Sequence, residues 1–145
     1  MIRLGTPDMG EIRVSLRLTN PLDEDRVAEG SLSADAVRTT MVDAVVDTGA
    51  VRSVVPQQVL DSIGVRVRST GTAEYADGRR ENVGVTSPIV FELLGRSTTD
   101  DAFVLGDEVL IGQTILEKLD LLADCANQRL LPNPENPTKP VLKIR

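Results

Sequence analysis

The stretch Val45-Val46-Asp47-Thr48-Gly49-Ala50 is an apolar strand that ends in an Asp-Thr-Gly turn. A carboxylate at the end of a buried strand costs free energy unless hydrogen-bond partners are supplied to it. Thr48 offers a hydroxyl, and Gly49 lets backbone amide groups come close to the carboxylate of Asp47. The stretch therefore has the parts that hold an acidic side chain ready for chemistry, and the chain contains it once.

The segments on either side of this stretch predict a mainly β domain. Residues 11–19 alternate strictly between apolar and polar side chains, which is the pattern of a strand with one buried face. Residues 39–46 form the strand that leads into the Asp-Thr-Gly turn. After the turn, Pro56 opens a short helix over residues 57–63, and Gly64 ends it.

The C-terminal half predicts a hairpin, further strands and a second helix. Tyr75-Ala76-Asp77-Gly78-Arg79-Arg80 contains the Asp-Gly pair of a tight hairpin. Its arms, residues 70–74 and 82–86, are polar, so we expect the hairpin to stand away from the core. Val109-Leu110-Ile111-Gly112 is an apolar strand that stops at glycine and precedes a helix over residues 113–120. The other strands are predicted at residues 89–93, 99–105, 121–125 and 129–131.

The remaining segments are predicted to be irregular. Residues 22–36 are polar and acidic and are interpreted as a loop, in which Asp23, Glu24 and Asp25 form a solvated turn rather than a cation site. Residues 132–145 are rich in proline and are predicted to form an extended tail. With 145 residues and no internal repeat, the chain fits a single domain.

Composition narrows the possible functions. The formal net charge of −6 argues against nucleic acid or an anionic membrane surface as a partner. No apolar run approaches the roughly 20 residues that span a bilayer, and residues 1–7 lack the apolar core of a signal peptide. Cys125 is the only cysteine, so no intrachain disulfide can form, and we expect a cytoplasmic location.

The absence of histidine restricts the chemistry most sharply. It removes Ser-His and Cys-His nucleophile pairs and every imidazole metal ligand. Acid–base chemistry therefore falls to carboxylates, and we expect neither a metal nor an organic cofactor.

The order of these motifs resembles that of the retropepsin-like aspartic proteases, the family of the retroviral proteases and their soluble bacterial relatives. An Asp-Thr-Gly-Ala turn follows an apolar strand, an Asp-Gly hairpin comes next, and an apolar-apolar-Gly segment precedes a helix. The resemblance covers residues 10–134. It implies an all-β, closed-barrel acid-protease fold with one or two short helices.

The resemblance also implies roles for individual residues. Asp47 matches the catalytic aspartate, and Thr48 matches the residue whose hydroxyl braces the two catalytic loops across a dimer. Gly49 matches the residue whose carbonyl lies along the substrate backbone, with Ala50 beside it. The implied substrate-binding and flap residues are Val51, Arg52, Tyr75, Ala76, Asp77, Gly78, Arg79, Leu110, Ile111 and Gly112.

The chain departs from the retroviral pattern near the turn and in the hairpin. Val51 and Arg52 stand where retroviral enzymes often have an acidic residue after the alanine, and Gln113 stands where they have an arginine. The ion pair between those two positions is therefore absent. The hairpin is also less rich in glycine than a retroviral flap. These departures bear on substrate preference and dimer stability.

The chemistry that the resemblance implies needs two carboxylates that share one proton. One chain supplies one Asp-Thr-Gly, so we expect a two-fold homodimer in which the two copies of Asp47 meet at the axis and act on a peptide or protein substrate. Apolar cleft walls from Val51, Val54 and Ile111 predict apolar side chains beside the cut. Two alternatives stay open: a dimeric binding or scaffold module with the same fold, and an unrelated β-domain in which Asp47 is structural.

Three other sites have simpler interpretations. Asp43 shares a strand face with Asp47 and is interpreted as a peripheral residue with its own partner. Asp100-Asp101 is interpreted as a solvated turn. Cys125 is predicted to be a small buried residue.

Overall fold

The computed structural model describes residues 11–144. Residues 1–10, which include the segment compared with a signal peptide, lie outside the described residues. The strands are β1 (Ile12–Thr19), β2 (Thr39–Val46), β3 (Val54–Val55), β4 (Val67–Glu74), β5 (Arg80–Thr86), β6 (Ile89–Leu93), β7 (Arg96–Asp100), β8 (Phe103–Val104), β9 (Val109–Ile111), β10 (Leu121–Asp124) and β11 (Arg129–Pro132). The helices are α1 (Pro21–Ala28), α2 (Gln57–Ile63) and α3 (Gln113–Leu119), with a 3-10 turn at Ala34–Ala36. None of the helices in the described range is long and apolar enough to cross a membrane.

Nine of these strands form one sheet in the order β4-β5-β8-β3-β9-β2-β1-β6-β7, and β10 pairs with β11 separately. Within residues 11–144, β4 and β7 each have a neighbour on one side only, so the sheet is a curled half-barrel with two open edges. The mainly β prediction is confirmed, but the closed barrel is not what forms. Local patterns predict strands, whereas closure depends on two strands distant in the chain meeting each other.

Apolar side chains pack in two clusters that meet the two faces of β2. Ala44 and Val46 belong to the larger cluster and Val45 to the smaller one, because successive side chains of a strand point to opposite faces. The larger cluster joins β1 and β6 to the helices, and its fully buried members include Leu16, Leu18, Leu60, Ile63, Ile89, Phe91, Ile115 and Leu119. The smaller cluster consists of Val45, Val54, Ala73, Val83 and Leu110, with Phe103 and Leu105 packed against it.

The acidic segment interpreted as a loop contains a helix. The side-chain oxygen of Asn20 accepts a hydrogen bond from the backbone N–H of Asp23 at 3.1 Å, and Pro21 occupies the first helical turn. Both features favour a helix start. Asn20-Pro21 therefore ends β1 and begins α1, and only the first of these two roles was predicted.

Asp23 is buried rather than solvated. Its side chain accepts hydrogen bonds from the backbone N–H of Arg38 at 2.9 Å and from two nitrogens of the Arg38 guanidinium at 2.9 and 3.0 Å. The Arg38 side chain lowers the pKa of Asp23 to about 2. The Asp23–Arg38 ion pair links α1 to the residue before β2. Sequence analysis of the acidic segment alone cannot predict this contact, because Arg38 lies 15 residues away. Glu24 and Asp25 are exposed, as predicted.

Two smaller predictions are also corrected. The strand predicted at residues 99–105 is divided between β7, which pairs with β6, and β8, which pairs with β3 and β5. Cys125 is exposed, because it lies in the turn between β10 and β11. The predicted β2, α2 and the β10–β11 pair are confirmed.

The tail after β11 is held by polar contacts around Asp120. The carboxylate of Asp120 accepts hydrogen bonds from the side-chain amides of Asn133 and Asn136 at 3.1 and 2.7 Å, and from the backbone N–H of Val141 at 3.1 Å. The hydrogen bond from Asn133 is the largest cause of the lowered pKa of Asp120. The buried Arg96 donates to three main-chain carbonyls of the same region. The tail is therefore extended but anchored.

Candidate active site

Asp47 directly follows β2 and continues the pairing of β2 with β9. The two strands are parallel, with Val45 opposite Leu110 and Val46 opposite Ile111. The backbone N–H of Asp47 then donates to the carbonyl of Ile111 at 2.9 Å. Because both strands lie inside the sheet, Asp47 is only 5% exposed. The fold thus places the Asp47 carboxylate at the ends of β2 and β9, two apolar strands in the middle of the sheet.

The Asp47 turn, residues 47–52, folds back on its own carboxylate. The backbone N–H of Gly49 donates to Asp47 Oδ1 at 3.0 Å, and the N–H of Ala50 donates to the Asp47 carbonyl at 3.1 Å. A Cβ atom at position 49 would lie 3.3 Å from the same Oδ1. Thr48 and Gly49 are exposed, whereas Ala50 is fully buried. The hydroxyl-bearing residue of the turn therefore stands at the surface beside a buried acid.

The start of α3 holds the Asp47 turn from the other side. The N–H groups of Gln113 and Thr114 donate to the carbonyls of Ala50 and Val51 at 2.8 and 3.0 Å. Such N–H groups have no partner within their own helix, so the turn satisfies them. The side-chain amide of Gln113 also donates to the carbonyl of Thr48 at 2.9 Å. Gln113, at the position of the retroviral arginine, thus binds backbone carbonyls of the turn through both its main-chain N–H and its side-chain amide.

Gly112 lies where the two segments come closest. A Cβ atom at this position would be 2.6 Å from the carbonyl oxygen of Arg52 and 2.9 Å from that of Val51. The N–H of Gly112 donates to the hydroxyl of Ser53 at 2.9 Å, and Ser53 is fully buried. The role of Ser53 was not predicted from the sequence. Its only signal is its position just after the turn, which does not reveal a partner 59 residues away.

Arg52 has partners that replace the ion pair expected in retroviral enzymes. Its guanidinium pairs with the carboxylate of Asp101 and lies over the ring of Phe103, 5.5 Å from the centroid. Asp101 is therefore a partner of the Asp47 turn and not a solvated turn residue. Val51, the neighbour of Arg52, is 61% exposed. The exposed edge of the turn therefore has a guanidinium held by Asp101 and Phe103 beside an exposed apolar side chain, Val51.

The face of β2 that leads to Asp47 also meets the hairpin formed by β4 and β5. Val45 and Leu110 share the smaller apolar cluster with Ala73 and Val83 of the hairpin. Side chains two residues apart on a strand point to the same face, so Asp47 continues the face of Val45. The half of the hairpin arms nearer the tip is therefore buried at Ala73 and Val83, contrary to the prediction that the hairpin stands away from the core, whereas residues 67–70 at the base of β4 are exposed.

The hairpin tip, residues 75–79, is held mainly by its own residues. Tyr75 is 6% exposed, and burial is the main cause that raises its pKa, followed by the carboxylate of Glu81. The guanidinium of Arg79 lies over the Tyr75 ring, 4.4 Å from the centroid, and its backbone N–H donates to Asp77 Oδ1 at 2.9 Å. The exposed residues of the tip are Ala76, Asp77, Gly78 and Arg79.

Several residues that sequence analysis assigned to substrate binding are buried in the single chain. Leu110 is 3% exposed, and Ile111 and Val54 are fully buried. Their side chains belong to the apolar clusters, so they support the turn from below. Val51 is the exposed apolar side chain of the three predicted wall residues.

The other acidic groups lie outside this arrangement. Asp43 is exposed and forms an ion pair with Arg13 at 3.0 Å, in line with its interpretation as peripheral. In the part of the chain that the structure describes, no group of three or more Asp, Glu or Cys side chains is arranged to hold a metal ion. Asp47 is thus the buried carboxylate around which this site is built.

No family model and no curated protein matches the sequence. The structure is similar to the crystal structure of the retroviral protease-like domain of Ddi1 from Leishmania major, with a TM-score of 0.52 and 18% sequence identity. The match covers 97% of this chain and 96% of that one. A likeness at this identity shows the fold. The retropepsin-like fold implied by the motif order is therefore confirmed, as an open half-barrel.

Proposed function

We propose that the protein is an aspartic endopeptidase whose catalytic carboxylate is Asp47. The observation that carries the proposal is the structure of the Asp47 turn. A buried carboxylate accepts the N–H of Gly49, while a second segment, beginning at Gly112, fixes the backbone of the turn from below. The retropepsin-like fold supplies the same frame.

The reaction requires a second carboxylate, which a second copy of the chain supplies. Two carboxylates about 3 Å apart share one proton, because both cannot be ionised together. Only one Asp-Thr-Gly is present in each chain. The active form is therefore a two-fold homodimer in which Asp47 and Asp47 of the partner subunit meet at the axis. The exposed Thr48 and Val51 lie beside Asp47, where such an interface would form.

The two carboxyl groups then act as general base and general acid. The ionised group takes a proton from water, whose oxygen attacks the carbonyl carbon of the peptide bond. The protonated group gives its proton to the carbonyl oxygen, which forms a neutral diol. In the second step the C–N bond breaks. The carboxyl group that took the proton from water gives it to the leaving nitrogen, and the other, now ionised, carboxylate takes a proton from a hydroxyl of the diol. The products are a carboxylic acid and an amine, and the two Asp47 side chains again share one proton.

The substrate in this proposal is an extended peptide between the hairpin tip and the Asp47 turn, where it makes strand-like backbone hydrogen bonds. The hairpin tip acts as a flap over it. Ala73 and Val83 of its arms are already packed on the face that leads to Asp47, while residues 76–79 of its tip are exposed. Val51 favours an apolar side chain next to the cleaved bond.

The test is cleavage of a diverse peptide library, followed by mass spectrometry from acid to neutral pH. We expect Asp47→Asn to lower cleavage by at least about 100-fold, because general acid–base catalysis is lost. Asp43→Asn is the matched control, since Asp43 lies on the same strand but is exposed and paired with Arg13. Equal cleavage by wild type and Asp47→Asn would refute the proposal.

Sedimentation at the assay concentration tests the dimer. We expect the active sample to be dimeric and its activity to fall as dilution separates the chains. Full activity in a purely monomeric sample would refute the shared dyad. A dimer that cuts no peptide at any pH would instead favour the alternative function, a binding or scaffold module with the same fold.

A further inference from the structure

A concave site lies away from the Asp47 turn. A pocket of about 420 Å³ opens between the start of α1, the end of α2, the segment that enters β4 and the turn before β6. This volume falls within the range of ligand pockets, about 300–1,000 Å³. The residues that line this pocket, here called the arginine pocket, are Asn20, Pro21, Leu22, Asp25, Gly64, Val65, Arg66, Arg68, Ser87 and Pro88. None of them belongs to the Asp47 turn or the hairpin tip.

Two arginines, Arg66 and Arg68, give this pocket its positive charge. Most arginines of the described range contact a carboxylate, main-chain carbonyls or an aromatic ring: Arg13, Arg17, Arg26, Arg38, Arg52, Arg79, Arg80, Arg96 and Arg129. Among residues 11–144, the guanidinium groups of Arg66 and Arg68 have no such partner, and both line the same pocket. In a chain with a net charge of −6, two cations left available together suit an anionic ligand. Guanidinium groups bind carboxylates through paired hydrogen bonds.

The pocket also presents apolar surface. Pro21, Leu22, Val65 and Pro88 contribute to its lining, and Leu22 is 58% exposed on α1. The single acidic residue of the lining is Asp25, which leaves a net charge of +1 among the lining residues. The combination suits a ligand that carries carboxylates next to an apolar side chain.

The adjoining strand favours a peptide over a small organic acid. Arg68 lies in β4, which is an edge strand of the sheet within the described residues. An edge strand offers unpaired backbone groups to which an extended peptide adds as a further strand. A peptide that places its carboxylates on Arg66 and Arg68 therefore has a path along β4.

We propose that the arginine pocket is a docking site for an extended peptide segment that carries two acidic residues and an apolar residue at every second position, so that all three side chains lie on one face. The carboxylates bind Arg66 and Arg68, and an apolar side chain packs against Leu22. The docking site is separate from the cleavage site, so the inference does not depend on catalysis by Asp47.

The test is fluorescence anisotropy with a fluorescein-labelled peptide in which Glu, Glu and Leu are separated by single serines, added to the Asp47→Asn full-length protein so that no cleavage intervenes. A peptide with lysine in place of glutamate is the control probe. We expect the acidic probe to bind and the basic probe to bind at least about tenfold more weakly, a difference that added salt reduces. Equal binding of the two probes would overturn the proposal.

Variants locate the bound probe. Arg66→Glu with Arg68→Glu should weaken binding of the acidic probe at least about tenfold, whereas Asp25→Asn should strengthen it about twofold, because it removes the only carboxylate of the lining. Arg17→Glu with Arg129→Glu makes the same change in net charge away from the pocket and should leave binding unchanged. Equal weakening by both double variants would overturn a specific site.

Two further outcomes distinguish peptide docking from binding of small dicarboxylates and from the proposed endopeptidase activity. Displacement of the probe by millimolar glutarate as effectively as by unlabelled peptide would assign the pocket to small dicarboxylates and overturn the peptide proposal. Binding of the probe to a protein whose wild type cuts no peptide would refute the proposed endopeptidase and leave the docking site standing. Circular dichroism and melting temperature confirm that each variant is folded.

Discussion

The Asp47 turn and the hairpin tip lie on the same side of β2, but different parts of the chain hold them. The Asp47 turn is fixed by residues far along the chain: Gln113 binds the carbonyl of Thr48, and Ser53 accepts the N–H of Gly112. The hairpin tip is fixed by its neighbours, since the N–H of Tyr75 donates to the carbonyl of Arg79 at 2.8 Å.

This difference bears on how each region can move. Opening the Asp47 turn requires β9 and α3 to separate from it, which disrupts the central sheet. The exposed residues 76–79 of the hairpin tip can move with the loss of a few local contacts, and regions of that kind open at lower free energy. The arrangement suits a site in which the carboxylate stays fixed while its cover moves.

The largest expected effect comes from filling the space at Gly112. Gly112→Ala would place a methyl group 2.6 Å from the carbonyl oxygen of Arg52, and because the obstacle is backbone it cannot rotate away. We expect a loss of about 3 kcal/mol in the free energy of unfolding. Urea unfolding at a fixed protein concentration measures it.

Gly78→Ala is the matched change in the hairpin tip. Gly78 has open space around its Cα but a φ of 87°, so its substitution costs about 1 kcal/mol of backbone strain. The comparison between the two regions predicts a larger loss at Gly112. An equal or smaller loss at Gly112 would mean that the turn and α3 separate easily, which contradicts the fixed turn.

The second expected effect concerns Ser53. Ser53→Ala leaves the buried N–H of Gly112 without its acceptor, which costs about 1–3 kcal/mol. Ser62→Ala is the control, because its hydroxyl is exposed and binds a carbonyl within its own helix; we expect a change within about 0.5 kcal/mol. Hydrogen exchange at the Gly112 amide should also become faster in Ser53→Ala. Unchanged exchange there would show that the hydroxyl does not hold the turn.

These contacts also show which features of the site could be predicted from the sequence. The elements around Asp47 were predictable because their signals are local: alternation in β1, Pro56 and Gly64 at the ends of α2, and Asp-Gly in the hairpin. α1 was missed because Asn20-Pro21 signals the end of a strand and the start of a helix equally well.

The supporting contacts of the site could not be predicted in the same way. Asp101 looks like any acidic turn residue until the fold brings Arg52 to it. Ser53 and Gln113 act through hydrogen bonds to groups 59 and 65 residues away. Only the glycine at position 112 had a sequence signal, since it ends an apolar strand before a helix. The open edges of the sheet depend on long-range pairing and have no local signal.

The smallest expected effect concerns the hairpin tip and its tyrosine. Tyr75 is the only tyrosine in the chain, and the chain has no tryptophan, so the ultraviolet absorbance of phenolate reports this side chain alone. Burial raises its pKa above the ordinary value of 10.0, and the carboxylate of Glu81 adds to the shift. In the folded protein we expect titration above that of the urea-unfolded chain, and Glu81→Gln should remove part of the difference.

The sign of the linked stability change follows from this shift. Because folding raises the pKa of Tyr75, the folded state binds its proton more tightly, so the contribution is complete below about pH 10 and is lost as pH rises through the folded pKa. Tyr75→Phe should remove this part of the alkaline decline in the free energy of unfolding. Titration of folded Tyr75 at the same pH as in the unfolded chain would mean that the hairpin face on which Ala73 and Tyr75 lie is open to water. The whole hairpin, and not only its tip, would then be mobile, and the core would hold only the Asp47 turn.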